Sequence, residues 1–98
     1  MKKNTAYIPK PIDTSAVELS DALVHLTELL AENVHDIWAV GKIKEGWTFG
    51  PQLDAQKKTT PFLIPYKELP DAQKNYDRAT AMETVKTIIR LGYIISDQ

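Results

Sequence analysis

The sequence contains no cysteine. That absence removes disulfides, thiolate nucleophiles and cysteine-ligated zinc, and it accords with a reducing compartment. Nor is there an excess of charge of one sign. Twelve Lys and Arg stand against 13 Asp and Glu, a formal net charge of -1. Such a chain has no global field to draw in nucleic acid or an anionic membrane, so neither is an expected partner. Long apolar runs are missing too, and no stretch approaches the roughly 18 residues that a membrane helix needs. Met1-Lys2-Lys3 has the charge of a signal-peptide start, but Asn4, Thr5 and Ala6 lead into Pro9 and Pro11 rather than into an apolar segment. The expectation is a cytoplasmic protein that begins at its own initiator Met. With four glycines in all, there is no Gly-rich phosphate loop.

What remains is an ordinary globular composition, 43% apolar and 26% charged, in 98 residues. That is one domain's worth of chain with one core. The reading is a flexible N-terminus over residues 1–6 and a single domain over 7–98.

Tyr7-Ile8-Pro9-Lys10-Pro11-Ile12 alternates apolar residues with proline, which predicts an extended arm whose Tyr7, Ile8 and Ile12 lie against the core. Asp13, Thr14 and Ser15 form a turn-and-cap cluster. The first long helix starts at an N-cap, Ser20, with Asp21 in its first turn. Leu23, Leu26, Leu30, Val34, Ile37 and Trp38 recur at helical spacing as its buried stripe. Glu28, Glu32 and Asp36 make an acidic stripe on another face. The helix should stop near Gly46. A second helix over roughly 71–91 has Pro70 at its first position, Tyr76, Ala79, Met82, Val85, Ile88 and Ile89 as its buried stripe, and Gly92 past its end. Between them, residues 46–69 hold aromatics and prolines with weak periodicity. A turn is expected over 54–58 and a buried extended segment at Phe62-Leu63-Ile64. Tyr93-Ile94-Ile95 reads as a short strand. The fold class is therefore mainly α: two long antiparallel helices, a packed aromatic loop and short β-strands.

Several segments, taken in order, resemble one known family. Tyr7-Ile8-Pro9-Lys10-Pro11-Ile12-Asp13-Thr14 is similar to its opening, and Leu30-Ala31-Glu32-Asn33-Val34-His35-Asp36-Ile37-Trp38-Ala39 to its central helix. Gly46-Trp47-Thr48-Phe49-Gly50-Pro51, Leu63-Ile64-Pro65-Tyr66, Leu69-Pro70, Tyr76-Asp77-Arg78, Glu83-Thr84-Val85-Lys86 and Leu91-Gly92-Tyr93 follow in family order. The set, from about residue 7 to 95, resembles the ryanodine receptor repeat domain. That resemblance implies a helical cytosolic domain with a β-hairpin-like element, found as tandem pairs on the periphery of large calcium-release channels and as stand-alone prokaryotic and phage copies. The channel's function does not follow from it. Many family members carry an Arg-Asp-Asp run and a later His-Pro pair where this chain has Leu53-Asp54-Ala55 and Thr60-Pro61.

Candidate sites divide into chemical and structural readings. No stretch carries the oxygen-ligand spacing of an EF-hand, so no calcium site is expected. His25 and His35 lie on different faces of one helix, and His35 reads as a partly buried hydrogen-bonding residue rather than a base. Trp38, Trp47, Phe49 and Tyr66 read first as core and second as a ring-stacking pocket. Lys74 and Arg78 share a helix face, as do Lys86 and Arg90. Their bland partners are Glu28, Glu32 and Asp36, and their sharper one is a bound anion. Lys57-Lys58-Thr59-Thr60 resembles a phosphorylation site in an exposed loop, at Thr59 or Thr60. Ser15, Ser20 and Ser96 carry no catalytic motif, and neither an enzyme nor a cofactor is expected. The leading expectation is a non-catalytic binding or scaffold module with a protein partner, including a second copy of itself. The alternative is a sensor of a small anionic ligand such as a nucleotide, held by Trp47, Phe49, Tyr66, Lys74 and Arg78 beside Lys57.

Overall fold

The computed structural model describes residues 6–96. The expected flexible segment therefore falls, save for Ala6, outside the described residues. Helix α1 spans Asp21–Lys44 and helix α2 spans Asp71–Arg90. Between them lie β1 (Thr48–Phe49), β2 (Thr59–Thr60) and a single 3-10 turn, Tyr66–Glu68. The molecule is mainly α-helical, with one small two-stranded sheet.

The helix ends follow their sequence signals. Ser20 is the N-cap of α1, and its Oγ accepts from the Leu23 N–H at 3.3 Å, satisfying one of the orphan donors of the first turn. Gly46 and Gly92 sit just past the two helices at φ +93 and +100, the left-handed conformation in which a chain leaves a helix and which glycine adopts without strain. Pro70 is one position earlier than expected. It is the cap of α2, in extended geometry, and Asp71 is the first helical residue.

The helices meet along small side chains. The buried line of α1 is Thr27, Ala31 and His35, at steps of four. Ala81 and Val85 of α2 are buried opposite. The leucine stripe expected to be buried instead flanks this line: Leu23, Leu26 and Leu30 are half-buried, while Val34, Ile37 and Trp38 face solvent in part. Likewise Tyr76, Ala79 and Ile88 of the expected α2 stripe are exposed, and of that stripe Val85 alone is fully buried. At Thr27 and Ala31 the reason is steric, because short side chains let two helices approach closely, whereas His35 is buried with its bond to the Ile64 carbonyl. Thr27 tolerates burial because its hydroxyl donates to the Val24 carbonyl at 2.6 Å. Tyr66 and Leu69 complete the core with Ala31 and Ala81, and Leu30, Phe62 and Ile64 pack against it.

Two further expectations differ from the structure. Tyr7 and Ile8 are 85% and 74% exposed, and Ile12 is exposed as well. Pro9 and Pro11 offer no N–H to hold the arm in a ladder, and its anchor comes later, where the buried Thr14 donates to Glu83 Oε1 of α2 at 2.7 Å. Residues 93–95 form no strand, and Ile94 is 91% exposed. Neither of the partners open to them from sequence, residues 62–64 or the N-terminal arm, is a strand, and 62–64 is flanked by Pro61 and Pro65. The sheet lies elsewhere, with β1 and β2 parallel and Thr48 opposite Thr59. The turn that leads into β2 is organised by Asp54, whose Oδ1 accepts from the Gln56 and Lys57 N–H groups.

Candidate functional site

The second helix carries Gln73, Tyr76, Asp77 and Thr80 on one face, at the spacing that brings helical side chains together. The first helix carries Val34, His35 and Trp38. Phe62 and Leu69, from the connecting segment, close the third side. Together these residues line a cleft of about 290 Å³, at the small end of ligand pockets.

His35 anchors this cleft. It is 5% exposed, and its Nε2–H donates to the Ile64 carbonyl at 2.7 Å. This matches the hydrogen-bonding role expected for it. The bond fixes the ring against the connecting segment and leaves Nδ1 as its second polar atom. The ring stacks on Trp38, with centroids 5.5 Å apart and planes inclined by 25°, and is tilted against Tyr66 at 6.3 Å.

Asp77 is the carboxylate of the cleft. Burial raises its carboxyl above the usual range, and the positive form of His35 draws it part of the way back. Among the described residues no hydrogen bond contributes to its ionisation. Thr80 lines the same cleft, but its hydroxyl donates to the Tyr76 carbonyl at 3.0 Å, which occupies the proton that a nucleophile would have to lose.

The residues named from sequence as a ligand site divide into two places. Tyr66, Lys74 and Arg78 come together around Glu28. Arg78 Nε donates to Glu28 Oε1 at 2.7 Å and Nη2 donates to Oε2 at 3.1 Å, while Nη1 donates to Asn75 Oδ1. The Tyr66 hydroxyl donates to Glu28 Oε2 at 3.2 Å, and Lys74 Nζ lies over the Tyr66 ring, 5.9 Å from its centroid. The internal pairing weighed for this basic face therefore holds at Arg78. Trp47 is placed apart from this cluster: its N–H donates to the Lys42 carbonyl, and Lys42 Nζ sits 4.7 Å from its ring centroid. Phe49 is exposed in β1.

The loop around Thr59 and Thr60 is less open than the sequence implied. Thr60 is buried and its Oγ1 accepts from the Phe62 N–H, while Thr59 is half-buried and its hydroxyl donates to the Gln52 carbonyl at 3.0 Å. Among the described residues no group of three or more His, Asp or Glu is placed to hold a metal ion, and no helix is long and apolar enough to cross a membrane.

Sequence reasoning overlooked Asp77, Tyr76 and Phe62 as site residues. A usable signal was present: 73, 76, 77 and 80 share one helix face, as do 34, 35 and 38. Either set mixes aromatic with polar residues, as ligand pockets do. Against known families, residues 7–97 match the model of the RyR domain.

Proposed function

The chain belongs to the RyR domain family, and from that premise we propose that it is a non-catalytic binding module whose ligand enters the cleft between α1 and α2. The observation that carries this reading is the cleft's composition. Rings from Trp38, Phe62 and Tyr76 line it together with a single carboxylate, beside a histidine already fixed by the Ile64 carbonyl. Apolar walls with a few convergent polar groups are the usual make-up of a small-molecule site. A fragment screen read by amide and indole chemical shifts tests it. Hits should move Trp38, Asp77 and Thr80 first. Hits that move only other surfaces would sink the reading.

The alternative of an anion at Tyr66, Lys74 and Arg78 is weaker on this geometry. Arg78 already gives Nε and Nη2 to Glu28, so an incoming phosphate would have to displace a carboxylate held by two bonds.

A second reading, self-association as a scaffold, draws on a different surface. Leu29, Ile37, Val40 and Ile43 are exposed on α1, on the side away from Thr27, Ala31 and His35. Exposed apolar side chains on one helix face favour a protein partner, and a second copy is the occupant we favour. Light scattering should then show a concentration-dependent dimer that Ile37→Lys abolishes. A wild-type monomer at high micromolar concentration would remove this reading.

A further inference from the structure

Resting on the reading of the cleft as a binding site, we infer that its ligand is a small organic cation, an alkylated ammonium ion seated among Trp38, Phe62 and Tyr76 with Asp77 as its counter-charge. Four observations converge on that chemistry. The cleft is lined by three aromatic rings contributed by three separate segments of the chain. Aromatic faces carry negative potential and attract cations, most strongly in Trp. The lining includes no lysine or arginine, and the nearest basic side chains on α2 are turned to another task, Lys74 to the Tyr66 ring and Arg78 to Glu28. An anion would therefore find no charged donor among these walls except a protonated His35. That ring already gives its Nε2–H to Ile64, which leaves an anion its Nδ1 side alone.

The fourth observation is Asp77 itself. Its half-buried carboxylate lines the cleft, and among the described residues no hydrogen bond offsets its partial withdrawal from water. Desolvating a charge is costly, and a cation in the cleft supplies a partner beyond the charge of His35. A quaternary or trialkylated ammonium suits the site better than a primary amine. It sheds its hydration more readily, and it needs no hydrogen-bond acceptors beyond one carboxylate. Tyr76, 72% exposed, stands where a side chain can be removed without disturbing the core.

The experiment is a titration of the folded chain with choline, with tetramethylammonium, with the neutral choline isostere 3,3-dimethylbutanol and with AMP as an anion, followed by Trp fluorescence and amide chemical shifts. Choline and tetramethylammonium are expected to move Trp38, Tyr76 and Asp77, and to bind about tenfold more tightly than the neutral isostere. Asp77→Asn and Tyr76→Ala should each weaken the cations by roughly fivefold while leaving the isostere unchanged for Asp77→Asn. If the neutral isostere binds as tightly as choline, or if AMP moves the cleft residues and the cations do not, the cation inference falls and the binding module stands. If no probe of any charge moves a cleft residue in chain shown to be folded, both fall.

Discussion

Arg78 and Glu28, 50 residues apart in the chain, form a two-pronged ion pair between α2 and α1, with Nε to Oε1 at 2.7 Å and Nη2 to Oε2 at 3.1 Å. The paired geometry adds direction to charge. The Tyr66 hydroxyl donates to the same carboxylate, so one acidic group ties both helices to the connecting segment. The Arg78 bonds pull the Glu28 carboxyl below its usual range, helped by Tyr66. Removing the guanidinium strands the other two members. Arg78→Met and Glu28→Gln should therefore each lower the thermal midpoint, and the double variant should lower it by less than the sum of the two, because the second change removes a partner already stranded. A double-mutant cycle in thermal denaturation checks this, and additive effects would mean that the two side chains are not coupled.

Acid should act on Glu28 and Asp77 with opposite signs. Glu28 has its pKa lowered from 4.5, so its contribution is fully present above that value and is lost as pH falls through the lower folded value. Asp77 has its pKa raised from 3.8 by burial. The folded state then holds the proton more tightly than the unfolded state, so stability falls as pH rises from 3.8 through the higher folded value. Asp77→Asn should thus stabilise the domain at neutral pH and lose that advantage in acid. Glu28→Gln should destabilise it at neutral pH and converge on wild type in acid. Urea denaturation across the acid range reads both curves. Parallel curves for the two variants would contradict the assignment.

His35 offers a test of how the connecting segment is held. Its Nε2–H is the donor to the Ile64 carbonyl at 2.7 Å, in a side chain that is otherwise buried. His35→Phe keeps a flat ring against Trp38 but leaves that carbonyl without its partner. The expected cost is about 1–3 kcal/mol, with amide exchange accelerating over 62–66 before it does so in either helix. Uniform acceleration would place the effect in the helix pair instead.

These residues also mark what could be read from sequence. Ser20, Gly46 and Gly92 were legible because capping and the left-handed exit depend on single residue types. The family was legible from ordered motifs, and a RyR domain matches over residues 7–97. The contact face of α1 was not. Hydrophobic period favours the leucines, yet Thr27, Ala31 and His35 take the buried line, because closeness of approach depends on side-chain size at the first two and on a bond to the Ile64 carbonyl at the third, and periodicity sees neither. The sheet was hidden for a different reason, since strands of two residues are too short to alternate. In the candidate site, His35 and Trp38 were visible as residues of interest. Asp77 looked like one charge among many until α2 was set against α1 and burial singled it out.

Gly50 carries the last prediction. It is buried beside β2, and a Cβ built there would stand 2.7 Å from Thr59 Cβ, 3.1 Å from Cγ2 and 3.2 Å from Oγ1. The nearest atom is not the end of a flexible side chain but the Cβ itself, which is fixed by the β2 backbone. Gly50→Ala should therefore cost about 1–3 kcal/mol through overpacking, and the parallel register of Thr48 with Thr59 should be disturbed. Thr59→Ala removes Cγ2 and Oγ1 but leaves the obstructing Cβ, so it should not rescue Gly50→Ala. Thr59→Gly removes all three atoms. In a Thr59→Gly background, Gly50→Ala should become close to neutral even though Thr59→Gly is itself destabilising, having lost the bond to the Gln52 carbonyl. The coupling energy from that cycle, measured by urea denaturation, isolates the clash from the rest of the loop. Rescue by Thr59→Ala as complete as by Thr59→Gly would mean that the backbone yields at Cβ and that the clash lies with Cγ2 and Oγ1, whereas rescue by neither would mean that Gly50 is needed for something other than room.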